Sequence, residues 1–153
     1  MIMISSCLLG VHTRYDGTVT NKNDLLMKYC YLGKYLPVCP EQLGGLTTPR
    51  PPVEITGGSA VNNIGQDVTA QFIKGAEQCL YLAAIFSVKA AILKERSPSC
   101  GVHKIYDGSF RHVVREGKGL TAALLGENGI KIYSEEDLTE ALLCGLLELQ
   151  PEK

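Results

Sequence analysis

What this sequence lacks first is an excess of charge. Fifteen basic residues face sixteen acidic ones, a formal net charge of −1, and the Lys and Arg residues form no stripe. That argues against a general phosphate-backbone binder, which needs clustered cations, and no nucleic-acid polymer is expected as a partner. The chain also lacks a long apolar run. The longest, residues 79–88, is about half the ~20 residues that a membrane span requires. The first ten residues have neither a basic leader nor a small-residue cleavage site, and read instead as a strand. A cytoplasmic protein without membrane contact is expected, as a monomer or weak homodimer. What is present is ordinary for a globular chain: 45% hydrophobic and 20% charged residues over 153 positions. The six cysteines stand out. In a reducing compartment disulfides are not the default, and metal binding or catalysis becomes the better reading for selected thiols.

The pattern along the chain alternates strands with helices. Ile2 to Ser6 is a short apolar strand. Asn23 caps a helix over Asp24 to Tyr31, which Gly33 ends. Tyr35 to Cys39 is a second strand, and Pro37 marks it as an edge. Residues 40–66, dense in Gly and Pro, read as one long, ordered, largely irregular loop with an extended piece at Val53 to Thr56. Asp67 caps a helix that ends near Val88, with apolar residues at helical spacing. Ala90 to Leu93 is a third strand, followed by a loop from Lys94 to Gly119. A helix covers Thr121 to Glu127, and Ile130 to Tyr133 is a fourth strand. Ser134 with Asp137 opens a last helix running through Leu147. This predicts an α/β, single-domain, Rossmann-like layered fold over residues 1–153, with a mostly parallel sheet of about four strands and helices on both faces.

In an open parallel sheet, ligands bind beyond the carboxyl ends of the strands. Cys7 follows the first strand, Cys39 closes the second and Cys100 lies in the loop after the third. Parallel strands end on the same side, so these thiols can converge. Cys30, Cys79 and Cys144 fall inside predicted helices and read as small buried hydrophobes. Three thiolates with no obvious fourth suggest a [4Fe–4S] cluster with one iron open to substrate. Structural zinc remains open at this point, with His12 or His103 as a fourth ligand, as does a metal-free enzyme carrying a persulfide on one cysteine.

Glu41, two residues after Cys39, is placed to move a proton. Ser97 and Ser99 flank Pro98 just before Cys100, and either hydroxyl can orient a substrate or water. Arg14 and Arg50 are candidates to grip a substrate. Gly44 and Gly45 can form an anion nest. Asp16 reads as a turn closer or ion-pair partner. His112 reads as surface or strand filler, and Lys94, Glu95 and Arg96 as solvated charges at a strand end.

The motifs Ser6-Cys7-Leu8-Leu9-Gly10, Arg14-Tyr15-Asp16-Gly17, Val38-Cys39-Pro40-Glu41, Pro49-Arg50-Pro51-Pro52 and Ser97-Pro98-Ser99-Cys100-Gly101, in that order, resemble a bacterial family long catalogued as a domain of unknown function. Some of its members are thiouracil desulfidases. The resemblance implies a [4Fe–4S] cluster on Cys7, Cys39 and Cys100, acid–base work by Glu41 and assistance from Ser97. It also implies hydrolysis of a small thiolated nucleobase or related thioamide, in which water attacks the thiocarbonyl carbon and the open iron accepts the sulfur.

Overall fold

The computed structural model describes residues 1–19 and 22–149. The single-domain reading extends over residues 20–21 and 150–153, which lie outside the described residues. In chain order the elements are β1 (Ile2–Ser5), α1 (Asp24–Lys28), β2 (Tyr35–Val38), α2 (Pro40–Leu43), β3 (Val53–Thr56), β4 (Ser59–Asn62) and α3 (Thr69–Ile85). There follow β5 (Ala90–Leu93), β6 (Lys104–Tyr106), β7 (Val114–Glu116), α4 (Leu120–Glu127), β8 (Lys131–Ser134) and α5 (Glu140–Leu146).

Four strands form one parallel sheet in the order β2-β1-β5-β8. Its central strands are buried on both faces, which is why they are apolar at nearly every position instead of alternating. Ile2, Ile4 and Ile92 pack with Leu26 of α1 and Leu143 of α5 on one face. Met3, Ala91 and Leu93 pack with Cys79 and Ala83 of α3 and Ala122 and Leu125 of α4 on the other. This is the Rossmann-like, two-faced α/β layering that the alternation of elements predicts. Pro37 sits on the edge strand, where the missing N–H costs no ladder bond. No helix among the described residues is long and apolar enough to cross a membrane.

Three stretches differ from expectation. Residues 40–66 hold the short helix α2 and an antiparallel hairpin, β3–β4. The loop from Lys94 to Gly119 holds a second hairpin, β6–β7. Both were obscured because two short strands pairing only with each other leave no long periodic signal. The last helix starts later: Thr139 caps it by accepting from Leu142 N–H, while Ser134 and Asp137 bond each other's backbone in a separate turn.

The Gly44 and Gly45 N–H groups are not free to serve an anion, since they donate to the Pro40 and Gln42 carbonyls at 2.9 Å each. A Cβ on Gly44 would overlap the Gln71 carbonyl of α3, and one on Gly75 would overlap the Pro40 carbonyl of α2. These two glycines let α2 lie directly against α3, which sets the position of Glu41 on α2.

Candidate active site

The chain runs from β1 outward to β2, then returns to β5 on the other side of β1. The direction of winding therefore reverses between β1 and β5, and the loops leaving those strands part to open a crevice. A cavity of about 500 Å³ lies there, lined by Cys7, Cys39, Cys100, Glu41, Ser97 and Ser99 among others. Its size suits a small molecule.

The three cysteines reach the cavity from three adjacent strand ends. Cys7 lies in a single 3₁₀ turn after β1. Cys39 is the extended residue between β2 and α2, and Pro40 starts the helix behind it. Cys100 follows β5 in a loop bound to α4, where Thr121 and Ala122 N–H both donate to the Ser99 carbonyl at 2.9 and 3.1 Å. The thiols lie within electrostatic reach of one another. Burial pushes Cys7 up to about 11 and Cys100 up to about 12, and raises Cys39 as well. Among the described residues, no three His, Cys, Asp or Glu side chains gather closely enough about one point to hold a single metal ion.

Glu41 is held from both sides. One carboxylate oxygen accepts from Arg50 Nε at 3.1 Å, and the other from the Ser99 hydroxyl at 3.2 Å. Ser99 Oγ is 3.1 Å from Ser97 Oγ, which itself accepts from the N–H groups of Ser99 and Cys100. Arg50 is buried, and its guanidinium also donates to the Thr13 and Thr47 carbonyls and the Thr48 hydroxyl, with Cys39 Sγ at 4.0 Å. Its donors are thus engaged by the protein, and its geometry is that of a brace for Glu41. Arg14 lines the cavity near Cys7 and its guanidinium stands 5.9 Å from the centre of the Tyr15 ring.

The other candidates separate clearly. His12 bonds the Gly17 carbonyl, His103 pairs with Asp137 at 2.7 Å, and neither lines the cavity. Asp16 closes its own turn by accepting from Thr18. Cys79 is buried in the core, Cys144 is half-buried beside the Tyr29 hydroxyl, and Cys30 is exposed rather than buried.

Four residues read as bland in the sequence have structural partners. Lys94 pairs with Glu135 at 2.8 Å and lines the cavity. Arg96, also at the cavity, pairs with Glu136 at 2.8 Å. His112 is a cavity residue. Glu95 is only 1% exposed, and one of its oxygens accepts from the N–H groups of Val102, His103 and Lys104 at 2.8, 2.9 and 3.1 Å. That closes the loop carrying Cys100. The only available signal was position: all three charges follow the end of a central strand, where a site is expected.

Burial works to raise the Glu95 pKa, but the bonds from His103, Lys104 and Val102 outweigh it and hold the carboxyl below its ordinary 4.5. A lowered folded-state value stabilises the protein above the unfolded value and loses that effect as pH falls through the folded one. Glu95→Gln, which keeps a carbonyl acceptor but loses the charge, is therefore expected to cost on the order of 1 kcal/mol near neutral pH. The gap from the parent should close in acid below the ordinary carboxylate range. Denaturant titrations of both proteins at two pH values check this. A gap that is independent of pH would show that the charge on Glu95 does not matter.

The comparisons agree with one another. The family described as 2-thiouracil desulfurase matches residues 2–137. An uncharacterized protein of Bacillus subtilis (strain 168), YbbK, is 40% identical, covering 93% of this chain and all of the relative. A solved structure, the [4Fe–4S]-dependent thiouracil desulfidase TudS, is 46% identical with a TM-score of 0.85, covering 95% of this chain and 97% of that one. With the match running from the first strand to the turn after the last, the chain belongs to the 2-thiouracil desulfurase family.

Proposed function

We propose that this protein is a hydrolytic desulfidase, removing sulfur from a small thiolated nucleobase such as thiouracil, or from a related thioamide. The observation that carries the reading is the gathering of Cys7, Cys39 and Cys100 from three parallel strand ends around one cavity that also holds Glu41. It is supported by 46% identity to a [4Fe–4S]-dependent thiouracil desulfidase over almost the full chain.

The donor set fits a [4Fe–4S] cluster. Each thiolate in such a cluster binds a different iron, so the thiols need not close on one point, in keeping with the lack of a single-ion site. The same fact weighs against tetrahedral zinc, and neither His12 nor His103 lines the cavity to serve as a fourth ligand. A metal-free persulfide enzyme works through a thiol of lowered pKa, and here burial raises the pKa of all three. Cys7, Cys39 and Cys100 would hold the cluster as thiolates, releasing their protons to solvent. When bound, it supplies a Lewis-acidic iron with affinity for thiocarbonyl sulfur.

The chain's own residues do the rest. Glu41 takes a proton from the water that adds to the thiocarbonyl carbon. A C–O bond forms, the second water proton passes to sulfur, the C–S bond breaks and sulfur leaves as hydrosulfide, while Glu41 returns its proton to solvent, with no net change of oxidation state. Arg50 and Ser99 fix the carboxylate's two oxygens so that it meets the water in one orientation. Ser97, bonded to Ser99, and Ser99 itself orient substrate or water. Arg14 lies at the cavity to meet a substrate carbonyl. All these groups come from one chain, so a monomer suffices, and free thiols suit a reducing cytoplasm.

Cluster-loaded protein prepared without oxygen is expected to convert 2-thiouracil to uracil without added reductant, releasing one hydrosulfide per uracil. Loaded protein that leaves thiolated pyrimidines unchanged would sink the reading.

A further inference from the structure

One wall of the cavity belongs to neither the cysteines nor Glu41. The turn of the β6–β7 hairpin, residues 107–113, contributes Phe110 and His112, and Tyr106 stands at its base. The Tyr106 and His112 rings meet edge to face, with centroids 6.4 Å apart at 82°. Pro52, before β3, also lines the cavity. The turn is held under constraint: Phe110 and His112 have φ of 57° and 58°, left-handed backbone that a bulky residue such as Phe110 adopts only when its surroundings impose it.

Glu54 of β3 supplies that imposition. It is buried, and one carboxylate oxygen accepts from Gly108 N–H at 3.0 Å and Phe110 N–H at 3.1 Å. A side chain at Gly108 would strike Thr56 and the Ile55 carbonyl, so the turn lies directly on β3. The two hairpins unforeseen in the sequence are thus joined by one carboxylate, and the joint sits over the cavity.

We infer that the turn 107–113, latched by Glu54, is the selectivity wall of the cavity, its rings forming an apolar face for a flat heteroaromatic ring while the thiol side takes the sulfur. Glu54 is a positioning residue that acts through the backbone of the turn. This rests on the desulfidase reading. Aromatic faces prefer flat π-systems, and one stacking ring typically changes affinity by about 10-fold or more.

The test uses the cluster-loaded protein and two non-reacting probes: uracil, which is flat, and 5,6-dihydrouracil, whose saturated carbons pucker the ring while its polar edge is kept. Calorimetric titration of the parent is expected to favour uracil by about 10-fold. Phe110→Ala should lose most of that preference with iron content unchanged. Glu54→Ala should lose it too, while Glu54→Gln, which keeps a carbonyl acceptor for both N–H groups, should retain it. Turnover of 2-thiouracil is measured alongside. If the loaded parent does not desulfurise 2-thiouracil, the functional reading fails and the wall with it. If it does, but prefers neither probe or keeps its preference in Phe110→Ala, the wall alone is overturned.

Discussion

Cys100→Ala is expected to lower the iron content of anaerobically reconstituted protein from about four per chain to near zero, and to abolish desulfurisation with it. Cys7→Ala and Cys39→Ala should do the same. The thiols stand on three different loops, and two ligands cannot replace the anchoring that a third supplies from β5. Cys100 is the strictest case because its loop is tied to α4 and closed by Glu95, which fixes the thiol's position. The matching control is Cys79→Ala, which removes a buried thiol of the core that does not line the cavity. It should keep its iron. Iron and labile sulfide assays with the visible spectrum decide the matter, and a Cys100→Ala protein that retains its cluster refutes the ligand assignment.

Glu41→Gln is expected to separate chemistry from cluster binding. The side chain keeps its size and can still meet Ser99, but it can no longer carry a proton. Loss of a positioned general acid–base costs about 10²–10⁴-fold in rate, and the iron content should stay at the parent's level. Replacing Arg50 by Lys should move the rate in the same direction by a smaller factor. A point charge cannot reproduce a fork that braces Glu41 while bonding Thr13, Thr47 and Thr48. Steady-state rates of loaded proteins with matched iron content provide the check. A Glu41→Gln enzyme turning over like the parent would remove Glu41 from the chemistry.

Much of this arrangement is local and therefore legible. The apolar runs at Ile2 and Ala90 are long enough to be strands and too uniformly apolar to lie on a surface. Strands that alternate with helices become parallel, and parallel strands bring their ends to one side. That is why Cys7, Cys39 and Cys100, far apart in the chain, can be expected around one crevice without any spacing motif. The edge position of β2 follows in the same way, from a single proline.

What was not legible depends on partners remote in sequence. Lys94, Glu95 and Arg96 look like any charged strand end until Glu135, Glu136 and the backbone of residues 102–104 are brought to them. Arg50 suggests a substrate clamp until its donors are seen to be taken by Glu41 and by Thr13, 37 residues earlier in the chain. Glu54 carries no sequence signal at all, because its partners are backbone N–H groups 54 and 56 residues away. The sequence by itself determined the layered α/β fold, the end of the sheet where a crevice opens and the three cysteines that line it. Only the tertiary structure decided which charges brace and which face the cavity. Hydrophobic periodicity is written residue by residue, whereas a hydrogen bond between distant segments exists only once the core has packed.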